Sequence, residues 1–66
     1  MAILKVIEVL ANSNTSWEDA TSKAVAQASK SVKNIRSVYC NEQSATVKDG
    51  KIDEFRVNVK ITFEVG

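Results

Sequence analysis

The clearest pattern in the chain lies at its end. Phe55, Val57, Val59, Ile61 and Phe63 alternate without a break with Glu54, Arg56, Asn58, Lys60 and Thr62. Period two is the mark of a strand with one buried face and one wet face. A second long strand is predicted over 35–47, and the two are joined by Lys48-Asp49-Gly50-Lys51, whose Asp-Gly pair suits a type I′ hairpin turn. Residues 2–10 are rich in Val, Ile and Leu over a short run, which predicts a third strand, with 11–14 as a polar connector.

Between the first and second strands the period changes. Trp17, Ala20, Ala24, Ala28, Val32 and Ile35 recur at spacings of three and four, the stripe of an amphipathic helix. Thr15 followed by Glu18 reads as a capping box, so the helix is expected to begin at Thr15 or Ser16 and to run for about twenty residues. The stripe is mostly alanine, which permits close approach to a sheet but buries little area. The large core side chains must then come from the strands and from Trp17. The fold class predicted is α+β: β-α-β-β, one helix packed on a three-stranded antiparallel sheet.

A tight Asp49-Gly50 turn sets a hairpin register in which Val47 faces Ile52, Cys40 faces Val59 and Val38 faces Ile61. The other face then collects Ser37, Tyr39, Asn41 and Gln43 beside Thr62, Lys60, Asn58 and Arg56. Glu42 falls on the core face beside Val57, where a carboxylate must be paired, placed at an edge or displaced by a bulge. The polar patch of Ser37, Tyr39, Asn41, Gln43, Arg56, Asn58 and Lys60 is the candidate ligand-binding surface. Tyr39 fits an interface, a ligand contact or simple exposure.

Size and composition bear on what this sheet does. A chain of 66 residues makes one domain, 1–66, and buries only about 60% of the surface its unfolded form exposes. One Cys and no His leave neither an intrachain disulfide nor a Cys/His zinc site as a staple, so association with further copies is expected. A net charge of +1, with charges interspersed, gives no basic stripe for nucleic acid. The opening run contains Lys5 and Glu8 and reads as neither a signal peptide nor a membrane span, so a cytoplasmic location is the default. No enzyme is indicated: Cys40 has no His to activate it and reads as a buried small hydrophobe, and Glu18 and Asp19 serve the helix N-terminus. Trp17, in phase with the apolar stripe, reads as a core anchor.

The segments KVIEVLANS, TSWEDATSKAV, SVKNIRSVYCNEQ and FRVNVKITFEV, in that order and spacing, resemble the dodecins across essentially the whole chain. The resemblance implies a hollow homododecamer with a binding or storage role rather than catalysis. In dodecins that bind flavin (FMN or riboflavin), a Trp early in the second strand stacks on the ring and a Gln in the third bonds its polar edge. Those positions fall on Ser37 and Arg56. The SWE and IRS…EQ passages look more like a subgroup that also lacks this Trp and for which calcium binding is described. Within the matching segments the acids Glu42, Asp19 and Glu18 are the candidate cation ligands.

Overall fold

The computed structural model describes residues 2–66. Strand β1 (Leu4–Ser13) is followed by helix α1 (Trp17–Ala28), strand β2 (Ile35–Lys48) and strand β3 (Lys51–Glu64). The sheet order is β1-β3-β2 and both pairings are antiparallel. The strand with the strict alternation is therefore central, and the helix carries the chain from one edge strand to the other. The β-α-β-β fold predicted from the sequence is the fold observed.

The core is small. Ala20 and Ala24 of α1 pack on Val57, Val59 and Ile61, which are fully buried, with Ile7, Val9 and Ala11 of β1 around them. Trp17 meets Phe55 edge to face at 4.9 Å, and its indole N–H donates to the Ser44 carbonyl at 2.8 Å. The ring is thus an anchor between the start of the helix and the hairpin. The helix lies over β1 and β3 and scarcely touches β2. That corrects the expectation for Cys40: it faces Val59 as predicted, but no helix covers it and it is exposed.

The N-terminus of α1 is built differently from the Thr15–Glu18 box. Ser16 is the cap, and its hydroxyl accepts from the Asp19 N–H at 2.9 Å. The return bond is replaced by Ser13, which is 2% exposed: its hydroxyl donates to Asp19 Oδ2 at 2.6 Å and accepts from the Thr15 N–H at 2.9 Å. The helix is also shorter than predicted, at 12 residues. Beyond Ala28 the bonding tightens, with Lys30 N–H donating to Gln27 and Ser31 N–H to Ala28, while the Ser29 hydroxyl competes for the Ala26 carbonyl. Asn34, at φ 63, then reverses the chain into β2. Val32 therefore lies in the connector and Ile35 in β2, so neither belongs to the helical stripe.

The hairpin turn is as expected, with Asp49 and Gly50 at φ 53 and 76. The register agrees with the prediction at both ends of the hairpin and departs from it in the middle. Val47 faces Ile52, and Ser37, Val38, Tyr39 and Cys40 face Thr62, Ile61, Lys60 and Val59. Between these ends Glu42 faces Asn58, Gln43 faces Val57 and Ser44 faces Arg56. Two bulges on opposite strands account for this: β3 has the extra residue Asp53 near the turn, and β2 has the extra residue Asn41. The second undoes the shift made by the first. A third irregularity, at Arg36, follows near the start of β2.

Candidate functional site

Because the helix covers one face of the sheet, the other face is open, and its composition follows from the two ladders. Along β3 its rows are Thr62 between Val6 and Ser37, Lys60 between Glu8 and Tyr39, Asn58 between Leu10 and Glu42, and Arg56 between Asn12 and Ser44. Of the predicted patch, Ser37, Tyr39, Arg56, Asn58 and Lys60 stand together on this face. Asn41 and Gln43 do not share its rows: Asn41 is the bulged residue, and Gln43 is opposite Val57 in the ladder, although it still lines the depression in the middle of this face. Glu42 and Ser44 take their places. The bulge turns the one carboxylate assigned to the core onto the open face, and the problem of a buried, unpaired Glu42 disappears.

A depression of about 280 Å³ forms in the middle of this face, lined by Leu10, Glu42, Gln43, Ser44, Arg56 and Asn58. Arg56 is steadied from β1, its Nε donating to Asn12 Oδ1 at 3.2 Å, which leaves the rest of the guanidinium fork unengaged. Asn58 Oδ1 is shielded from solvent and has no hydrogen-bond partner. An acceptor in that position is costly unless a donor or a cation reaches it. Glu42 makes no ion pair with Arg56 or Lys60, the ion pairs among the described residues being Lys23–Asp19 and Arg36–Glu64.

The three acids proposed as cation ligands are not brought together. Asp19 and Glu18 belong to the first turn of α1, on the covered side of the sheet, and Glu42 lies on the open side. Asp19 is occupied in any case: the Ser13 hydroxyl and then Lys23, 3.0 Å away, hold its carboxyl below the usual carboxylate range. Among the described residues no group of three or more His, Cys, Asp or Glu side chains could hold a metal within one chain. What the open face offers instead is two hard oxygen donors, the Glu42 carboxylate and the Ser44 hydroxyl, with the amide oxygen of Asn58 shielded beside them. That chemistry suits calcium, which needs further ligands from water or from other copies to reach six to eight.

The contribution of β1 to this face was not apparent in the sequence. Leu4, Val6 and Leu10 point outward here and are more than half exposed, while Ile7, Val9 and Ala11 face the core. A strand apolar on both sides gives no alternation to read, and it is the pattern of a strand covered on both faces. Among the described residues no helix is long and apolar enough to cross a membrane.

The dodecin family profile matches residues 3–66. The calcium dodecin of Mycobacterium tuberculosis is 34% identical over 65 residues, covering 98% of this chain and 92% of that protein. A crystal structure of that calcium-chelating antigen, described with a novel calcium-binding site, superposes with a TM-score of 0.83 at 37% identity, over 97% of this chain and 91% of the other. The dodecin of Streptomyces coelicolor superposes with a TM-score of 0.93 at 22% identity, over 98% and 93% of the two chains, which is a likeness of fold. With the profile, the identity and the backbone in agreement, this chain belongs to the dodecin family.

Proposed function

We propose that residues 1–66 act as a single dodecin-type domain, a non-enzymatic binding and storage unit that assembles into a hollow homododecamer whose inner wall is the open sheet face. The exposure of Leu4, Val6 and Leu10 on one side, and of Val38, Val47 and Ile52 on the hairpin, supports assembly, because apolar surface on this scale in so small a domain is what an interface buries. Light scattering on the eluting protein reads the assembly directly. A monomer at micromolar concentration overturns it.

The ligand we infer is a calcium-type cation. The observation that carries this reading is the Asn41 bulge, which makes Glu42 the ladder partner of Asn58, whose amide oxygen has no hydrogen-bond partner. The relationship to a calcium dodecin points the same way. A ligand bound at a hundredfold over its dissociation constant stabilises the native state by about 2.7 kcal/mol, enough for a clear rise in melting temperature. Calcium is expected to raise the melting temperature of the wild type and to leave Glu42→Gln unmoved. No rise in the wild type counts decisively against a cation.

A second reading rests on Tyr39, whose exposed ring stands beside Lys60 on the same face. An aromatic next to a cation suits a planar anion such as FMN, with Arg56 donating to its polar edge. Ser37, in place of the stacking Trp, removes a contact worth about 1–3 kcal/mol if base stacking is the guide. Riboflavin and FMN fluorescence separates the two ligands, since stacking quenches emission; undiminished emission at tens of micromolar leaves the cation alone.

A further inference from the structure

Two bulges that cancel each other call for a reason. Each leaves a residue of the ladder unpaired, Asp53 on β3 and Asn41 on β2, although the register at the two ends of the hairpin requires neither. In the bulge-free ladder Asn41 would face Asn58 and Gln43 would face Arg56; in the observed one Glu42 and Ser44 hold those places. The segment 42–46 is thus one residue out of step with both ends of the hairpin. A slip of one residue in a strand exchanges the side chains of its two faces, so the bulges decide what the open face presents.

Two bonds from outside the ladder favour the bulged arrangement. At the turn-side bulge the Glu54 N–H donates to the Thr46 hydroxyl at 3.1 Å. In the middle of the offset segment the Trp17 indole N–H donates to the Ser44 carbonyl at 2.8 Å, the tie from α1 to a strand that the helix otherwise scarcely touches. The ring rests edge to face on Phe55 of β3 at 4.9 Å, so its N–H stands at a set height along that strand. In the bulge-free ladder the Ser44 carbonyl would move one residue along, about 3.4 Å, out of reach of that N–H. The carbonyl that replaced it would point the opposite way, since hydrogen-bonding directions alternate along an antiparallel strand. We propose that Trp17 is a positioning residue for the open face. From the far side of the sheet its indole N–H selects the register of β2 that sets Glu42 and Ser44, rather than Asn41 and Gln43, in the rows of Asn58 and Arg56. This rests on the open face as the binding wall and adds how its donors and acceptors are chosen, whichever ligand the wall takes.

The experiment is disulfide trapping of the register in the full chain carrying Cys40→Ser. Gln43→Cys with Arg56→Cys reports the bulge-free ladder, and Ser44→Cys with Arg56→Cys reports the observed one; intrachain disulfides are counted by mass after a fixed time of oxidation. With Trp17 intact the 44–56 pair is expected to close faster. Trp17→Phe keeps a ring against Phe55 and removes the N–H. It is expected to raise the rate of the 43–56 pair relative to the 44–56 pair by about 2–13-fold, the worth of one hydrogen bond. Phe55→Leu keeps the N–H but takes away the ring's support, so it should move the ratio the same way, and it decides the matter should Trp17→Phe fail to fold. A lower melting temperature with an unchanged ratio overturns the proposal and leaves Trp17 as an anchor of the core alone. A 43–56 pair that closes as fast as 44–56 with Trp17 intact overturns it too. The ratio is read within one chain and needs no ligand, so light scattering and ligand titration on the same samples test the binding and assembly reading separately.

Discussion

The two faces of β3 differ more than any other pair of regions in the molecule, although they share one backbone. On the helix side Val57, Val59 and Ile61 are fully buried; on the other side Arg56, Asn58 and Lys60, one residue away each time, have Leu10 and Tyr39 as the large apolar or aromatic partners in their rows. Alternation therefore divides labour within a single strand: odd positions hold the fold and even positions are free to bind. The largest effect should come from crossing that line on the buried side. Ile61→Ala is expected to cost about 2–5 kcal/mol, while Lys60→Ala next to it stays within about 0.5 kcal/mol. Chemical denaturation at one fixed protein concentration checks both, since assembly makes apparent stability concentration-dependent. Similar losses for the two would mean that assembly buries the open face as deeply as the helix buries the other.

A second comparison lies within the covered side, between its apolar contacts and its polar one. Ser13 is buried, and its hydroxyl serves two backbone N–H groups and Asp19. Ser13→Ala leaves those donors without an acceptor, and a loss of about 1–3 kcal/mol is expected. Ser16→Ala, which removes the cap itself, should cost about 1 kcal/mol by the same assay. A negligible change in Ser13→Ala would show that water takes over the hydroxyl's role.

How much of this was legible in the sequence depended on which signal each element carried. Strand β3 was readable residue by residue because its hydrophobic period is unbroken, and the turn because Asp49-Gly50 has one favoured geometry. The bulge at Asn41 was not readable: Cys40, Asn41 and Glu42 contain no glycine and no proline, and an extra residue in a strand leaves no mark in a period-two pattern except a residue on the wrong face. Glu42 was that mark. Its carboxylate, assigned to the core, was the physical contradiction that a register shift removes. The predicted open face thus agrees with the observed one for the β3 residues and for Ser37 and Tyr39 of β2, differs at Asn41 and Gln43, and left out β1, whose two apolar faces conceal its direction. The length of the helix was overestimated because Val32 and Ile35 continue the stripe by coincidence of spacing, while Ser29 and Asn34 end the helix through local bonding that no periodicity reports.

The division between the faces can be sharpened at Asn58, where binding and stability are expected to oppose each other. A shielded amide oxygen without a partner weakens the fold, and replacing it with an apolar side chain of similar size removes the penalty. Asn58→Leu is expected to gain about 1 kcal/mol in the absence of calcium and to lose the calcium-induced rise in melting temperature. If the variant is instead less stable, the oxygen has a partner in the assembly and does not await a ligand.

The smallest effect concerns pH, and it separates the acid of the covered side from that of the open side. Asp19 has a folded pKa below its ordinary value of 3.8, first through the Ser13 hydroxyl and then through Lys23. A carboxyl that binds its proton less readily in the folded state than in the unfolded one favours folding wherever it is ionised. Its contribution is complete above 3.8 and is lost as pH falls from there through the lower folded value. Acid titration of the melting temperature should therefore show a decline below pH 3.8 that is shallower in Asp19→Asn, and shallower again when Ser13 is also replaced by Ala only if the hydroxyl acts on some other acid as well. With Asp19 as the sole acid that Ser13 contacts, the two curves should run parallel. Glu42→Gln, on the open face, tests the other half: it should leave this acid decline in place while abolishing the response to calcium, so that one carboxylate reports on the fold and the other on the ligand.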